Sequence, residues 1–324
     1  MAKAAVFERI GGPEVIHWRE AELPPPGPGE VRMRHMAVGL NYIDTYHRRG
    51  IYPVELPSGL GLEASGIVEA VGEGVTDWRA GDRVATFGPA RGAYATERNV
   101  AAASLLPVPD DISDEVAAAA LLKGCTTEFL VERCAKVEPG MSVLVHAAAG
   151  GVGLILVQWL KAIGARVIGT VSTEKKAELA RQAGADEMIL YTGEDTARRV
   201  RELTNGAGVR VTFDGVGMDT WEASLDATGR RGLIVSYGNA SAPVSGISLG
   251  VLATKGSLYN TRPTLFDYYA GPEERRAGVE RLWAMIRSGK VAVTIGQRYA
   301  LEDAAQAHRD LEDRKTTGST VLIP

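Results

Sequence analysis

Cysteine is scarce. The 324 residues carry two, Cys125 and Cys134, too few for a disulfide framework or a four-cysteine metal lobe. No apolar run reaches the roughly 18 residues of a membrane-spanning helix. The opening stretch, Met1-Ala2-Lys3-Ala4-Ala5-Val6-Phe7-Glu8, lacks the apolar core of a signal peptide. The expectation is a soluble, cytoplasmic protein with no membrane partner. An excess of either charge is also missing. Lys and Arg number 36 against 40 Asp and Glu, a net charge of −4, and the absence of a basic stripe argues against nucleic acid as a partner. There is no internal repeat. What is present is ordinary globular material, 45% hydrophobic and 23% charged, long enough for two domains of about 100–200 residues each. Glycine alone is in excess, with 38 residues, about 12% of the chain against a usual ~7%.

Over the first hundred residues the pattern is of short strands, at 2–7, 15–20, 30–38, 66–71, 83–87 and 93–97, separated by Gly/Pro turns such as Gly11-Gly12-Pro13. This predicts a small barrel or sandwich. Ser113 then reads as the cap of a helix through Leu122, closed by Lys123-Gly124. From about Gly140 the texture changes. Strands at 142–146, 166–171, 187–190, 209–213, 232–236 and 257–260 alternate with helices at 152–163, 174–183, 195–204 and 219–228. That alternation predicts βαβ units in a parallel, doubly wound sheet. The last sixty residues read as a helix at 273–288, a strand at 291–294, a helix at 303–313 and a strand at 320–323.

Ala147-Ala148-Ala149-Gly150-Gly151-Val152-Gly153 lies between an apolar strand and an apolar helix. Small residues there let backbone amides approach a pyrophosphate at the positive end of the helix dipole. A tight strand–helix turn without a ligand is the plain alternative; the βαβ unit that follows favours the dinucleotide.

Several segments together carry a family resemblance. Asn41-Tyr42-Ile43-Asp44-Thr45-Tyr46, Gly61-Leu62-Glu63-Ala64-Ser65-Gly66, Ala80-Gly81-Asp82-Arg83-Val84, the glycine-rich turn and Ser236-Tyr237-Gly238-Asn239 resemble the quinone oxidoreductase (zeta-crystallin-like) branch of the medium-chain dehydrogenase/reductase superfamily. The resemblance continues to the final Gly318–Pro324. It implies an α/β chain with a GroES-like, β-rich catalytic domain at 1–124 and 264–324 and a doubly wound Rossmann domain at 125–263. It also implies NADPH as cofactor, a quinone or other small electron-poor acceptor, and a homodimer. In the superfamily's zinc branch the first two catalytic ligands are a cysteine and a histidine; the matching positions here hold Asn41 and Leu62. Neither can ligate zinc. The five histidines, His17, His35, His47, His146 and His308, are scattered. The expectation is a zinc-independent enzyme.

The resemblance places Asn41, Asp44, Tyr46 and Tyr52 around the nicotinamide and the acceptor. Asn41, Tyr42, Tyr46 and Tyr52 are candidate hydrogen-bond donors to a developing oxyanion, with Asp44 orienting its neighbours; the bland alternative is that the tyrosines pack a loop. The cofactor set that the resemblance implies is Asn41, Tyr42, Thr126, Gly150, Gly151, Val152, Gly153, Ser172, Lys176, Tyr191, Val216, Tyr237, Gly238, Asn239, Arg262 and Lys315. Thr126 is equally readable as a helix cap, and Arg262 as a solubilising arginine. The second Rossmann strand ends in Ser172-Thr173, without the Asp or Glu that accepts from the ribose of NAD. By resemblance, Ser172 and Lys176 hold a 2′-phosphate; Glu174, in the first turn of the helix that follows, is expected to point to solvent. A zinc-free reductase of enones or alkenals is the rival within enzymes. An NADPH-binding protein without turnover, crystallin-like or RNA-binding, is the rival outside them. The strand near 255–260 leaves an open sheet edge, which predicts pairing with a second copy.

Overall fold

The computed structural model describes the backbone of residues 1–324 and every side chain but that of Ala21. In chain order the strands of the first part are β1 (Ala2–Phe7), β2 (His17–Ala21), β3 (Glu30–Leu40), β4 (Ser58–Gly59), β5 (Glu63–Val71), β6 (Arg83–Phe87), β7 (Glu97–Ala101) and β8 (Leu106–Pro107). Helix α1 (Tyr42–Arg49) interrupts them after β3, and α2 (Asp114–Glu128) follows them. Next come β9 (Ser142–Val145), α3 (Gly151–Ile163), β10 (Arg166–Val171), α4 (Glu174–Gln182), β11 (Glu187–Leu190), α5 (Thr196–Leu203), β12 (Val209–Asp214), α6 (Trp221–Ala227) and β13 (Thr228–Ser236). The chain ends with α7 (Gly250–Thr254), β14 (Tyr259–Thr261), α8 (Leu265–Tyr268), α9 (Pro272–Arg287), β15 (Ile295–Ala300), α10 (Ala304–Glu312) and β16 (Ser319–Ile323).

Two compact units result. The first comprises Met1–Lys123, Arg275–Val279 and Ile295–Pro324. Its seven-stranded sheet runs β15-β16-β3-β5-β6-β8, with β7 also on β3, beside a three-stranded sheet β2-β1-β4. Strand β3 shows why it lies where it does. Val31, Met33, His35 and Ala37 are buried at alternate positions, the period of a half-buried strand, and Val31 and Met33 join a core containing Phe7, Leu60, Tyr94 and Leu322. The second unit, Gly124–Glu274 and Glu280–Thr294, holds a six-stranded sheet in the order β11-β10-β9-β12-β13-β14. All its pairings are parallel, the 3-2-1-4-5-6 order of a doubly wound dinucleotide-binding sheet. Helix α3 buries Leu154, Ile155, Leu156, Val157, Trp159 and Leu160, an almost continuous apolar cylinder suited to a sheet face.

Several local expectations are corrected. Gly124 does not end a helix: α2 continues to Glu128, and a π-helical turn follows at Phe129–Cys134. A Cβ at Gly124 would stand 2.3 Å from the Leu282 side chain, so this glycine serves close packing, not termination. Thr126 accordingly lies inside α2 and is not a cap. Residues 93–96 form one bridge, Ala4 with Ala95, and the paired strand is the next segment, β7. Residues 13–15 are a 3-10 turn, and β2 starts at His17. Residues 291–294 are not a strand, because Gln158 takes the backbone of Ala292 on both sides, accepting its N–H at 2.7 Å and donating to its carbonyl at 3.0 Å. The open edge at 255–260 is shorter than expected: Lys255 follows α7, and β14 holds three residues.

Candidate functional site

In the first unit the candidate residues stand on a helix. The sequence pattern assigns no helix to 41–52, but Asn41 is the N-cap of α1 with extended backbone, φ −131° and ψ 152°, and Gly50 closes the helix at φ 74°. The Asp44 carboxylate accepts the Asn41 N–H at 2.9 Å, the reciprocal half of a capping box. Tyr42, Tyr46 and Tyr52 form an aromatic file, with centroids 6.1 Å apart for the first pair and 5.3 Å for the second. Tyr42 donates to the Leu311 carbonyl at 3.2 Å. Tyr46 is buried and Tyr52 half-buried. Asn41 departs from the expected donor role, because its Nδ2 is on Glu63 Oε2 at 2.8 Å and on the Gly39 carbonyl at 3.4 Å.

Asp44 is fully buried, which pushes its carboxyl up to about 7 against the lowering effect of its hydrogen bonds from Asn41 and Tyr94. Behind it runs a chain of buried polar groups. Tyr94 Oη lies 3.1 Å from Asp44 Oδ2 and 3.0 Å from His308 Nε2, and His308 Nδ1 lies 2.9 Å from Arg48 Nη1. Arginine only donates. His308 Nδ1 therefore accepts, Nε2 carries the hydrogen and donates to Tyr94, and Tyr94 donates to Asp44. Burial first, and then Arg48, pull His308 down to about 3, so the ring is neutral. Nothing local in the sequence signals this chain, whose members come from α1, the loop before β7 and α10.

In the second unit most of the expected cofactor residues gather at the carboxyl ends of the strands. Gly150 caps α3 with extended backbone and no side-chain hydrogen bond, so the amides of Gly151, Val152 and Gly153 open the helix with no capping side chain over them. A Cβ at Gly153 would stand 2.3 Å from the Ala147 carbonyl, so only glycine lets this turn fold so tightly. The structure thus fits a pyrophosphate at this helix start. Ser172 follows β10, and its carbonyl accepts from Thr192 Oγ1 at 3.2 Å, next to Tyr191 at the end of β11. Thr173 caps α4, accepting the Lys176 N–H at 3.4 Å. After β12, Asp214 Oδ1 accepts the N–H groups of Val216 and Gly217 at 2.9 and 3.0 Å. Tyr237 packs against Gly215, where a Cβ would stand 2.8 Å from its ring, and a Cβ at Gly238 would stand 2.3 Å from the Gly215 carbonyl. Asn239 and Arg262 meet: with the amide turned to suit both neighbours, Asn239 donates to the Gly238 carbonyl at 2.9 Å and accepts from Arg262 Nη2 at 3.3 Å. Lys315 belongs to the first unit and places its ammonium 2.8 Å from Asp313 and 3.6 Å from Asp310.

Comparison with known proteins supplies the family. Residues 27–110 match the "Alcohol dehydrogenase GroES-like domain" and residues 151–274 the "Zinc-binding dehydrogenase" domain. A quinone oxidoreductase of Pseudomonas aeruginosa is 52% identical over the whole of both chains. The chain belongs to the quinone oxidoreductase branch of the medium-chain dehydrogenase/reductase superfamily. The crystal structure of Escherichia coli quinone oxidoreductase complexed with NADPH covers 99% of this chain and 100% of its own at a TM-score of 0.97 and 48% identity. A 2-haloacrylate reductase from Burkholderia is 44% identical over 100% of this chain and 99% of its own. The GroES-like match lies within the first unit and the zinc-binding dehydrogenase match within the second.

Among the described residues of this family member, no cluster of three or more His, Cys, Asp or Glu has metal-binding geometry. Cys125 and Leu62 are both buried. His146 lies between Thr170 and Ser224, at 3.0 and 3.1 Å, and His35 faces the Ala95 carbonyl at 2.7 Å. Among the described residues, no helix is long and apolar enough to cross a membrane.

Proposed function

We propose that the protein is an NADPH-dependent quinone reductase that works without zinc. The observation that carries this reading is the second unit's ligand-ready end: the uncapped start of α3, and a second strand, β10, that is followed by Ser172 and leads to Lys176 instead of a carboxylate. In this reading the α3 amides hold the pyrophosphate, Ser172 and Lys176 the 2′-phosphate, and Thr126, Tyr191, Val216, Tyr237, Gly238, Asn239 and Arg262 border the remainder of the cofactor. NADPH, when bound, supplies a hydride. Tyr46 and Tyr52 orient the acceptor and donate a hydrogen bond to its oxygen as charge develops there. Asp44 fixes the start of α1 and with it the tyrosines. A quinone needs no Lewis acid for this step, since it is already electron-poor. Asn41 and Leu62 fit that economy, because neither offers a zinc ligand. The name of the Burkholderia relative favours one second reading, an NADPH-dependent reductase of activated alkenes. Comparing kcat/KM for 1,4-naphthoquinone and for an alkenal separates the two; a higher value for the alkenal would favour the second reading.

Tyr52→Phe is expected to lower kcat/KM for the quinone with the NADPH dissociation constant nearly unchanged. Losing one oxyanion donor costs up to about 10²–10³-fold, and a reactive acceptor should lose less. Unchanged kinetics in both Tyr46→Phe and Tyr52→Phe would return these residues to packing.

The reading includes a cytoplasmic homodimer. Strand β14 is an edge of the six-stranded sheet and exposes Tyr259 at 63%, and two-fold pairing of like edges is one way to cover such a strand. Light scattering should give twice the chain mass of 34.5 kDa; a stable monomer at micromolar concentration would contradict the dimer.

A further inference from the structure

Asp214 ends β12 at 1% exposure, where donors converge on its carboxylate. Its Oδ1 accepts the N–H groups of Val216 and Gly217 at 2.9 and 3.0 Å, and its Oδ2 the Ser224 hydroxyl at 2.7 Å. The Thr220 hydroxyl lies 2.8 Å from both oxygens. The backbone of the same residue reaches the neighbouring turn. Its carbonyl accepts the Tyr237 N–H at 2.8 Å and the Gly238 N–H at 3.4 Å.

The carboxylate also fixes hydrogens at a distance. It only accepts, so Ser224 gives it the single hydroxyl hydrogen. Ser224 Oγ must then accept from His146 Nε2 at 3.1 Å. That leaves His146 Nδ1 bare, and it accepts from Thr170 Oγ1 at 3.0 Å. Burial holds the imidazole below its ordinary range against the pull of Asp214, so the ring stays neutral. Asp214, Ser224, His146 and Thr170 are all buried. The far end of this chain meets the glycine-rich turn: the Ala148 N–H donates to the Thr170 carbonyl at 3.1 Å, and the turn begins directly after His146.

We infer that Asp214 is a positioning residue for NADPH, holding the turns after β12 and β13 directly and the glycine-rich turn through Ser224, His146 and Thr170. The inference rests on the reading above that these turns border the cofactor. Both Asp214 oxygens are engaged by the protein's own donors, so the residue acts through those groups and not by contact.

Asp214→Asn keeps the shape and should fold. The Val216 and Gly217 N–H groups cannot turn, so the amide oxygen stays on them and the nitrogen takes the place of Oδ2. Ser224 must then accept from that nitrogen and donate to His146, whose hydrogen moves to Nδ1. Long-range proton–nitrogen correlation spectra of protein carrying isotope-labelled histidine read this tautomer, with His146→Gln identifying the signal. Cofactor-free wild type should show Nε2–H and the variant Nδ1–H. The NADPH dissociation constant from fluorescence titration should rise about three- to tenfold in Asp214→Asn, the difference between a charged and a neutral acceptor. It should rise further in Asp214→Ala, with kcat at saturating NADPH and quinone close to wild type in both. A purely structural role would lower the folded fraction, and with it kcat, and leave the dissociation constant where it was. If Asp214→Ala does not fold, Asp214→Asn decides. Nδ1–H in the wild type, a tautomer unmoved by Asp214→Asn, or an unchanged dissociation constant in that variant overturns the inference. Failure of the wild-type protein to bind NADPH at all overturns the NADPH reading itself and leaves the tautomer result standing.

Discussion

Arg48→Ala should lower the thermal unfolding midpoint of the first unit by about 6–20 °C, the product of two magnitudes. Arg48 is 0% exposed. Its Nε donates to the Gly11 carbonyl at 3.1 Å, its Nη1 to His308 Nδ1 at 2.9 Å, and its Nη2 lies 2.7 Å from both oxygens of Glu312. Removing one partner of a buried, hydrogen-bonded charge costs about 3–5 kcal/mol, and each kcal/mol moves the midpoint by roughly 2–4 °C in a unit of this size. Glu312 is 22% exposed, so water recovers part of its loss. His308 and Tyr94 are fully buried and have no such recourse. Arg48→Lys restores the charge without the fork of donors and should recover a part only. Differential scanning calorimetry measures this. A midpoint within about 2 °C of wild type, roughly 1 kcal/mol or less, would mean that Arg48 does not hold α1 in place.

Lys176→Ala should erase most of the preference for NADPH over NADH. The second strand of the doubly wound sheet, β10, ends at Val171, and Ser172 and Thr173 carry the chain into α4. Glu174 is the one carboxylate close by in sequence, and its side chain is 64% exposed and paired with Arg181 at 2.5 Å. Nothing at the strand end therefore repels a 2′-phosphate. A charge-assisted contact contributes about 1.5–3 kcal/mol, or roughly 10- to 150-fold in affinity. Wild-type protein should bind NADPH at least about tenfold tighter than NADH, and Lys176→Ala should close most of that gap without weakening NADH. Equal dissociation constants for the two cofactors in the wild-type protein would overturn this assignment, as would an unchanged gap in the variant.

The Rossmann half was legible because its signals are local. Most strands contain a short apolar run, α4 and α5 start at the side-chain caps Thr173 and Asp195, α3 closes on Gly164 at φ 96°, and the glycine-rich turn falls where β9 meets α3. The α1 helix was missed although its start was written in the sequence: Asn41 and Asp44 have capping-box spacing, and Gly50 stands where a helix stops. The eight residues between Asn41 and Gly50, mostly polar and aromatic, gave no apolar stripe to draw attention. What could not be read are the pairings across sequence. Glu63 was visible as a lone carboxylate in an apolar stretch, but its partners Lys123 and Asn41 arrive from the α2 segment and the α1 cap. Tyr94 and His308 are 214 residues apart. The π-helical turn after α2 likewise depends on packing, and no residue in 129–134 announces it.

Consumption of NADPH, followed by its near-ultraviolet absorbance with and without 1,4-naphthoquinone in protein dialysed against a chelator, tests the zinc-free quinone reductase most directly. Oxidation that requires the quinone and survives the chelator is the predicted result. NADPH that binds but is not consumed when quinone is added, or activity that disappears with a stoichiometric metal and returns with zinc, would contradict it.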